Sequence, residues 1–447
     1  MLTEPINIMI NPEEVHSILG RHILADGYDF VLDLEKSKGA WLYDSLHDRK
    51  ILDFFGFFAT STIGMNHDKM FEPLFLKKLQ RAAINKPTNS DVYTVEMAEF
   101  VDALDRIAAP PHMKHYFFIE GGALAVENAL KTAMDWKVRK NFINGHKEEK
   151  GQKIMHLKEA FHGRSGYTLS LTNTFDPNKI KYFPKFNWPR ITNPKITFPL
   201  NEENLKKVEE LENRSLEEAE EAVKKNRDDI AALIIEPIQA EGGDNHFRKE
   251  YLQRLRKFTG ENEMLFIVDE VQTGMGVTGK WWAYQHFDFN PDILVFGKKL
   301  QVCGIMVSDR IEDIEEHVFH VPSRINSTWG GNLTDMVRAT RYLEIIKEDN
   351  LVENAELRGR ELLKGIQDLQ DKHPEKIYNA RGRGLMVAFD LKDTTERDNF
   401  IDKLYKENDM LALKTGEKGI RFRPSLAIKA DEVSEALNRL QKTIKTM

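Results

Sequence analysis

The sequence contains a single cysteine, Cys303, among its 447 residues, so no disulfide can form within the chain. Proteins without disulfides suit the reducing conditions of the cytoplasm, which is where we expect this protein to reside. Residues 1–20 carry early acidic side chains and no uninterrupted apolar stretch of signal-peptide length. We therefore expect that the protein is not exported.

Long hydrophobic runs and an excess of basic residues are also missing. No segment approaches the roughly 18 to 20 apolar residues that a membrane-spanning helix needs. The formal net charge is −7, whereas a dedicated nucleic-acid-binding protein normally carries a basic excess. We therefore expect neither a membrane nor a nucleic acid as a partner. Small anionic substrates stay compatible with this charge, because local Arg and Lys residues decide their binding.

The composition is that of an ordinary soluble globular protein, with 41% hydrophobic and 30% charged residues. A chain of this length favours two or three domains. We predict an N-terminal segment (1–65) that contributes to a small domain, a large domain (66–332), and a C-terminal part of the small domain (333–447). The large domain is expected to bind the ligand.

Short, wholly apolar runs alternate with amphipathic stretches in the middle of the chain. The runs are Tyr116–Ile119, Ala232–Ile235, Met264–Val268 and Ile293–Phe296. The amphipathic stretches include Val126–Trp136 and Lys249–Lys257. This pattern predicts an α/β fold with a mixed, mostly parallel sheet that is covered by helices on both faces. Polar residues follow each run, and ligands bind beyond the carboxyl ends of such strands.

Two further regions have a recognisable character. Residues 201–229 place apolar side chains at helical spacing among many charges, which predicts a solvated surface helix or helix pair. From about residue 333 a long helix-like stretch leads into the segments YNARGRGLMVAFDLK and GIRFRPSLAI. These patterns predict the smaller α+β domain, whose Arg-rich strand ends could reach back toward the large domain.

Two motifs at predicted strand ends indicate an anionic ligand and a cationic one. Gly121 and Gly122 separate an apolar strand from a helix, where backbone amides and the helix dipole favour a phosphate. A tight strand-to-helix turn would explain the same pair. Asp269 follows another buried strand and needs a compensating cation. That cation could be a structural partner or the protonated pyridine nitrogen of pyridoxal 5′-phosphate (PLP).

A lysine pair follows a third buried strand. Lys298 comes directly after Gly297, and a partly desolvated lysine in such a place becomes nucleophilic, as Schiff-base chemistry requires. Lys299 is the competing candidate. We favour Lys298, because Gly297 leaves room for a cofactor and the alternation of a strand turns Lys299 away.

Two other patterns resemble binding sites but are interpreted otherwise. Gly274–Trp281 has the outline of a phosphate-binding loop, yet Trp281 occupies the position of the magnesium-binding Ser or Thr. The pairs His112/His115 and His317/His320 have the spacing of metal ligands on a helix. Because no Cys or carboxylate set accompanies them in the sequence, we interpret them as surface or core histidines and expect no metal site.

Six motifs in this order resemble the class III (ornithine-type) aminotransferases of the fold-type I PLP enzymes, over nearly the whole chain. The motifs are EGGALAVENALK, FHGRSGYTLSLTNT, EPIQAEGGDNHFRKEY, DEVQTGMGVTGKWWAY, FGKKLQVCG and NSTWGGNLTDMVRA. The first departs from the commoner Ser-Gly-Ala-Glu phosphate motif, in the way that is typical of members acting on lysine.

The resemblance implies a role for each matching residue at the cofactor. Lys298 would form the Schiff base with PLP and then move the proton. Asp269 would keep the pyridine nitrogen protonated. The other implied cofactor-binding residues are Phe161 and the adjoining His162 at the ring face, Gln272 at the phenolate oxygen, Gly122 and Ala123 at the phosphate, and Thr328 at the phosphate from a neighbouring subunit. The resemblance therefore implies a homodimer with shared active sites.

The resemblance also implies the groups that bind the substrates. Arg164 would hold the distant α-carboxylate of L-lysine, and Arg421 would anchor 2-oxoglutarate near the cofactor, since a guanidinium matches a carboxylate bidentately. Glu241 would pair with Arg421 when lysine is bound and swing away for 2-oxoglutarate. Asn326 would touch the polar end of the substrate. Arg423 competes with Arg421 for the anchoring role.

The expected reaction transfers the ε-amino group of L-lysine to 2-oxoglutarate in two half-reactions. The products are L-glutamate and 2-aminoadipate 6-semialdehyde, which cyclises to 1-piperideine-6-carboxylate. Three alternatives stay open. They are another class III ω-aminotransferase acting on ornithine, acetylornithine or 4-aminobutyrate, a PLP aminomutase, and a non-catalytic nucleotide-binding protein built on Gly274–Lys280.

Overall fold

A seven-stranded sheet forms the centre of the computed structural model, which describes residues 10–447. Residues 1–9, the beginning of the predicted N-terminal segment, lie outside the described residues. The helical segments are α1 (Pro12–Gly20), α2 (Gly56–Ala59), α3 (Pro73–Ile84), α4 (Val95–Ile107), α5 (Gly122–Ile143), α6 (Thr168–Leu171), α7 (Glu202–Lys225), α8 (Lys249–Glu261), α9 (Leu333–Glu348), α10 (Leu351–Lys372), α11 (Thr394–Asn408) and α12 (Ala430–Lys445).

The strands belong to three sheets. They are β1 (Leu32–Lys38), β2 (Trp41–Asp44), β3 (Arg49–Asp53), β4 (Met113–Ile119), β5 (Lys153–Leu157), β6 (Arg190–Ile191), β7 (Ile230–Ile235), β8 (Leu265–Asp269), β9 (Ile293–Phe296), β10 (Cys303–Ser308), β11 (Tyr378–Arg383), β12 (Met386–Asp390), β13 (Met410–Leu411), β14 (Leu413–Thr415) and β15 (Gly419–Phe422).

The central sheet has the strand order β4-β10-β9-β8-β7-β5-β6. Strand β10 is antiparallel to both of its neighbours, and the pairs from β9 to β6 are parallel. All four apolar runs of the sequence are strands of this sheet, and every residue of β7, β8 and β9 is buried. Burial on both faces explains why these strands are continuously apolar instead of alternating. The predicted α/β fold with a mixed, mostly parallel sheet is confirmed.

Two four-stranded sheets flank this centre. One has the order β11-β12-β15-β14 and comes wholly from the C-terminal part of the chain. The other has the order β1-β2-β3-β13, in which Met410 of β13 pairs with Leu52 of β3 in parallel. The N-terminal segment thus shares a sheet with the C-terminal part, as the predicted division supposes. The boundaries at residues 65 and 332 stay a prediction.

The long helices largely follow the sequence pattern. Residues 202–225 form the single helix α7, whereas the helix-like stretch after residue 333 is divided into α9 and α10. The division lies at Asn350, which adopts a left-handed backbone conformation with φ 53°. A right-handed helix cannot continue through such a residue. Within residues 10–447, no helix combines the length and the apolar character needed to cross a bilayer.

A tight left-handed turn, α2, brings the N-terminal segment against the carboxyl end of the central sheet. Positive φ angles run from Gly56 to Ala59. Asp53 holds the turn by accepting hydrogen bonds from the amides of Phe55 (3.0 Å) and Gly56 (2.7 Å). A Cβ atom on Gly56 would lie 1.9 Å from the carbonyl oxygen of Arg423, so only glycine fits there.

Candidate active site

A cleft of about 750 Å³ opens where the parallel strands of the central sheet end. The residues that line it are Thr60, Gly122, Ala123, Val126, Phe161, His162, Gly163, Arg164, Ser165, Glu236, Asp269, Val271, Gln272, Lys298, Gln301 and Cys303. Asp269 ends β8, Glu236 follows β7, and Lys298 lies two residues after β9. The expectation that the strand ends bring polar residues to one edge of the sheet is confirmed. In open α/β sheets, ligands bind at this edge, beyond the carboxyl ends of the strands.

Lys298 lies in this cleft with a strained backbone. Its φ angle is 44°, and its Nζ donates a hydrogen bond of 3.0 Å to the carbonyl oxygen of Phe58 in the left-handed turn. Burial lowers the pKa of Lys298 to about 7, and the positive charges of Arg421 and Arg423 act in the same direction. A large share of this amine is therefore unprotonated at neutral pH, which makes it a nucleophile.

Lys299 points away from the cleft. Its side chain is buried, and its Nζ donates to the carbonyl oxygen of Ser61 at 2.6 Å. Burial also lowers the pKa of Lys299 to about 7. The two lysines therefore differ in position and not in acidity, since only Lys298 lines the cleft.

Asp269 is held by two hydrogen bonds at the base of the cleft. Its Oδ2 lies 2.8 Å from Nδ1 of His162, and its Oδ1 accepts from the amide of Val271 at 3.1 Å. Both side chains are buried. Because each carboxylate oxygen has a fixed partner, the orientation of the Asp269 carboxyl group is set before any ligand binds.

Glu236 lines the cleft but is not among the predicted site residues. It is buried, with Oε1 accepting from the amide of Phe161 (2.9 Å) and Oε2 from the amide of Ala240 (3.0 Å). Burial raises the pKa of Glu236 to about 7, and the charge of Asp269 adds to the rise. The signal in the sequence was the polar pair Glu236-Pro237 directly after an apolar strand, which resembles the other strand ends.

The N-terminus of α5 supplies unsatisfied amides to the cleft. Gly121 has a φ of 106°, and Gly122 and Ala123 open the helix. The first amides of a helix have no partner within it and favour an anion. A Cβ atom on Gly122 would lie 3.1 Å from Cγ1 of Val271, so glycine keeps this approach open.

Two buried polar atoms of the cleft have no hydrogen-bond partner in the part of the chain that the structure describes. They are Oε1 of Gln272 and Nε2 of His162. Buried polar atoms are normally paired, and such exceptions indicate a missing ligand or water. Phe161, whose amide is fixed by Glu236, lies in the wall of the same cleft.

The buried arginines Arg421 and Arg423 are in different situations. Arg423 makes a bidentate ion pair with Asp244, with Nη1 at 2.9 Å and Nη2 at 2.7 Å from the carboxylate oxygens. Arg421 approaches Asp244 only to 3.9 Å, and its Nε and Nη1 have no hydrogen-bond partner among the described residues. Burial lowers the pKa of Arg421 to about 10. Arg421 is therefore the arginine that is free to bind an anion.

Arg164 and Glu241, two further residues that were predicted to bind the substrates, differ in position. Arg164 is exposed and lines the cleft. Glu241 lies outside the lining, where its Oε1 accepts from Lys179 Nζ (2.6 Å) and Thr174 Oγ1 (2.8 Å). Its Oε2 is buried without a hydrogen-bond partner in residues 10–447. The predicted exchange of Glu241 between lysine-bound and 2-oxoglutarate-bound arrangements stays a prediction.

Asn326 and Thr328 do not line the cleft of their own chain. Both are exposed on the loop that precedes α9. Oδ1 of Asn326 accepts from the amide of Ser327 at 2.7 Å, and the carbonyl oxygen of Thr328 accepts from Thr88 Oγ1. For Thr328 this position suits the predicted contribution to a neighbouring subunit, and both roles stay predictions.

The model of the aminotransferase class-III family matches residues 23–444 of this chain. The protein belongs to the class III aminotransferases. The chain is 47% identical to an L-lysine-epsilon aminotransferase of Streptomyces clavuligerus, over 97% of this chain and 95% of that protein. It is 32% identical to the mitochondrial 4-aminobutyrate aminotransferase of Homo sapiens, over 98% of this chain and 87% of that protein.

Solved structures agree with this assignment. A lysine aminotransferase from M. tuberculosis in the internal aldimine form superposes with a TM-score of 0.95 at 46% identity, and the match covers 98% of this chain and 100% of the other. An ω-transaminase from Thermomicrobium roseum, at 22% identity and a TM-score of 0.82, covers 98% of this chain and 99% of the other and shares the fold. The fold expected from the resemblance is confirmed.

Class III aminotransferases use PLP, and the residues of this cleft fit that cofactor. Lys298 offers an amine of lowered pKa, and Asp269 offers a fixed carboxylate for a pyridinium nitrogen. The amides at the N-terminus of α5 suit a phosphate. The unpartnered Oε1 of Gln272 indicates that a polar group of a ligand belongs beside it.

In this aminotransferase, internal hydrogen bonds hold the loop Gly274–Trp281, which resembles a phosphate-binding loop. Glu270, buried just before the loop, accepts hydrogen bonds from Thr273 Oγ1, the amide of Ala283 (3.0 Å) and the amide of Tyr284 (2.7 Å). Lys280 donates to the carbonyl oxygen of Gln285 at 2.8 Å. Glu270 thus joins the residues on either side of the loop, and Lys280 is already engaged by a carbonyl oxygen, which supports the interpretation that the loop is not a nucleotide site.

Two of the four histidines in the pairs lie beside a carboxylate in the folded chain. His115 and His317 lie together with Glu312, and one ligand atom of each falls within 4.8 Å of the others. The expectation that no carboxylate accompanies these histidines is therefore wrong, because Glu312 lies beside two of them in the fold. Glu312 lies five residues before His317, so the acidic segment 312–316 was a signal in the sequence. Its approach to His115, 197 residues away in the chain, arises only in the fold.

Proposed function

We propose that the protein transfers the ε-amino group of L-lysine to 2-oxoglutarate, giving L-glutamate and 2-aminoadipate 6-semialdehyde. The semialdehyde then cyclises with loss of water to 1-piperideine-6-carboxylate. The observation that carries this proposal is the buried guanidinium of Arg421, whose Nε and Nη1 have no hydrogen-bond partner among the described residues and whose positive charge acts on Lys298. The identity of 47% to an L-lysine-epsilon aminotransferase supports the choice of the amine.

When bound, PLP supplies an electrophilic carbonyl carbon and a ring that withdraws electrons from the bond being broken. The residues of this chain prepare that chemistry. Lys298 provides the attacking amine and, once displaced, an unprotonated Nζ that accepts and returns a proton. Asp269 would hold the pyridine nitrogen protonated, in an orientation that His162 and the amide of Val271 fix.

The two substrates need different carboxylate anchors. With its ε-amine at Lys298, L-lysine leaves its α-carboxylate near the mouth of the cleft, where the exposed Arg164 would pair with it. 2-Oxoglutarate brings a second carboxylate close to the reacting carbon, and Arg421 would bind that one. Glu241 would approach Arg421 during the lysine half-reaction and withdraw toward Lys179 during the other.

We also infer a homodimer that shares its active sites. Large apolar side chains are exposed on α3, at the start of α4, in the first turn of α5 and on the loop that carries Thr328, as expected of a surface that a second subunit covers. They include Leu74, Ile84, Tyr93, Val95, Leu124 and Trp329. Sedimentation should give twice the mass of the chain, and Thr328→Ala should weaken cofactor retention. The single, partly buried Cys303 suits a cytoplasmic enzyme.

The experiment is a comparison of amine donors in the first half-reaction, followed by the change in cofactor absorbance. We expect L-lysine to react at least ten times faster than L-ornithine or 4-aminobutyrate. A faster reaction with either of those would make the protein a different ω-aminotransferase. Conversion of lysine to an isomer without any 2-oxoglutarate would identify an aminomutase instead.

A matched pair of donors tests the role of Arg164. L-Lysine and 1,5-diaminopentane present the same terminal amine, but only lysine has the α-carboxylate. We expect Arg164→Met to slow the half-reaction with lysine by about 10 to 100-fold, the usual effect of losing a charge-assisted hydrogen bond. The rate with the diamine should stay unchanged. An equal loss for both donors would contradict the assignment of Arg164.

A further inference from the structure

Three histidines surround one carboxylate on the outer part of the central sheet. Glu312 Oε1 lies 2.5 Å from Nε2 of His115, and Glu312 Oε2 lies 3.3 Å from Nε2 of His317. Nε2 of His320 lies 4.0 Å from the same Oε2. We call His115, Glu312, His317 and His320 the histidine–glutamate cluster. None of these residues belongs to the PLP cleft.

The hydrogen bonds of the rings distinguish His320 from His317. Nδ1 of His320 lies 2.8 Å from the carbonyl oxygen of Glu315, and a carbonyl can only accept, so Nδ1 carries the proton. The lone pair of neutral His320 is therefore on Nε2, the atom that faces Glu312. Histidines that bind metals almost always donate their other ring N–H to such a partner.

His317 has the opposite arrangement. Its Nδ1 accepts a hydrogen bond from the amide of Phe319 at 3.2 Å, so the proton of the neutral ring is on Nε2. That proton points to Glu312 Oε2. His317, whose side chain is fully buried, thus orients the carboxylate instead of competing for a cation. His115 also directs Nε2 to Glu312, but its Nδ1 has no hydrogen-bond partner among the described residues, so its proton can move to Nδ1 and leave the Nε2 lone pair for a cation.

We propose that His115, Glu312 and His320 bind a divalent transition-metal ion such as Zn²⁺, with His317 positioning the carboxylate. Two imidazole nitrogens and one carboxylate oxygen are the donors that Zn²⁺ prefers, and three protein ligands leave a position for water. The side chains of Glu312 and His320 are 43% and 47% exposed, so an ion can reach the site from solvent.

The charges around the cluster favour a cation. Asp313, Glu315 and Glu316 lie next to Glu312 in sequence. Asp313 and Glu316 pair with Lys140 and Arg139, which leaves the cluster carboxylate and Glu315 without a basic partner other than histidine in the described chain. His115 is also braced by the ring of Phe319, which stacks on it with centroids 4.8 Å apart.

The position of the cluster gives the ion a structural purpose. His115 is on β4, opposite Val307 of β10, whereas Cys303 at the other end of β10 lines the cleft. Four residues of strand separate these points, about 14 Å at 3.4 Å per residue. His320 stands six residues before Asn326 and eight before Thr328 in sequence. The ion would therefore fasten the base of the loop that carries Asn326 and Thr328 to the central sheet, away from the chemistry.

The test is metal binding by the tag-free, cofactor-loaded protein after treatment with EDTA. Titration calorimetry with ZnCl₂ should show one equivalent bound by the unsubstituted protein, and MgCl₂ should show none, because Mg²⁺ prefers oxygen ligands. His115→Ala, Glu312→Gln and His320→Ala should each weaken Zn²⁺ binding at least tenfold. His146→Ala, a histidine paired with Asp228 elsewhere, is the matched control and should bind as before.

A second readout separates this site from binding at PLP or at scattered surface groups. On addition of Zn²⁺, amide exchange in residues 314–332 should slow in the unsubstituted protein and in His146→Ala, and stay unchanged in Glu312→Gln. Unaltered far-ultraviolet circular dichroism and cofactor absorbance would show that the variants are folded. No Zn²⁺ binding at about 100 µM, a concentration far above the dissociation constants of structural zinc sites, would overturn the proposal. Equal binding by the double variant His115→Ala/His320→Ala would overturn it as well.

Discussion

His162 and Asp269 form a buried pair in which Nδ1 of the imidazole lies 2.8 Å from Oδ2 of the carboxylate. Together with the amide of Val271 at Oδ1, the imidazole fixes the plane of the carboxyl group. A carboxylate held in this way needs no reorganisation when a cationic ring nitrogen arrives, and preorganisation of this kind is the main electrostatic contribution of proteins to catalysis.

Removing either member of this pair should slow amine transfer to different extents. We expect His162→Ala to lower kcat by about 10 to 100-fold, since a hydrogen bond to a charged group contributes about 1.5–3 kcal/mol. Asp269→Asn should lower it further, because the charge is lost with the hydrogen bond. Single-turnover rates at measured cofactor occupancy would check this. A normal rate for His162→Ala would show that Val271 alone orients the carboxylate.

The neighbouring lysines provide a paired test of the cofactor anchor. Lys298→Ala should lose turnover by at least about 10³-fold, because the nucleophile and the proton carrier vanish together. Lys299→Met keeps the volume of a side chain that lies outside the cleft and should still allow borohydride to fix PLP covalently. Mass spectrometry of the reduced proteins checks both outcomes. If borohydride still fixes PLP covalently in Lys298→Ala, another amine forms the Schiff base.

Arg421 and Arg423 should respond to substitution in opposite ways. Arg421→Met removes a buried charge with unpartnered nitrogens, so we expect neutral or improved stability and at least a tenfold rise in KM for 2-oxoglutarate. Arg423→Met leaves Asp244 buried without its bidentate partner and should lower the free energy of unfolding by about 3–5 kcal/mol.

Urea unfolding and initial rates distinguish the two arginines. A large loss of stability in Arg421→Met would mean that its guanidinium has a structural partner. An unchanged KM for 2-oxoglutarate in the same variant would show that Arg421 is not the anchor. The two measurements are independent, since one concerns the fold and the other the substrate.

His246 should make the stability of the protein sensitive to acid. Burial lowers the pKa of His246 from 6.5 to about 3, and Arg383, Arg381 and Arg423 add to the effect. Between pH 6.5 and pH 3, His246 is therefore protonated in the unfolded chain and neutral in the folded chain. The contribution of neutral His246 is complete above pH 6.5 and is lost as the pH falls through this window.

Comparison with His246→Phe isolates this effect. From pH 7 to pH 5 the free energy of unfolding should fall by about 2 kcal/mol more in the unsubstituted protein than in the variant, at 1.36 kcal/mol per pKa unit. Urea titrations at the two pH values give the difference directly. Parallel losses in both proteins would show that His246 accepts a proton in the folded state.

The apolar strands were predictable because a strand buried on both faces must be apolar along its whole length. The polar residues that directly follow these strands were predictable as site candidates, because ligands bind beyond the carboxyl ends of such strands. Lys298 and Asp269 were found in this way. Glu236 satisfied the same rule and was not assigned, because its position could not be distinguished from a structural turn without its buried hydrogen bonds.

The sequence by itself determined the strands of the sheet and the family, and it indicated Lys298 and Asp269, which line the cleft, because these depend on local pattern and on motif order. Only the tertiary structure distinguished Arg421 from Arg423, since the difference is the bidentate partner Asp244, about 180 residues away in the chain. It alone brought Glu312 to His115. Side chains that are far apart in sequence meet only when the chain folds, so no spacing within a motif could reveal these contacts.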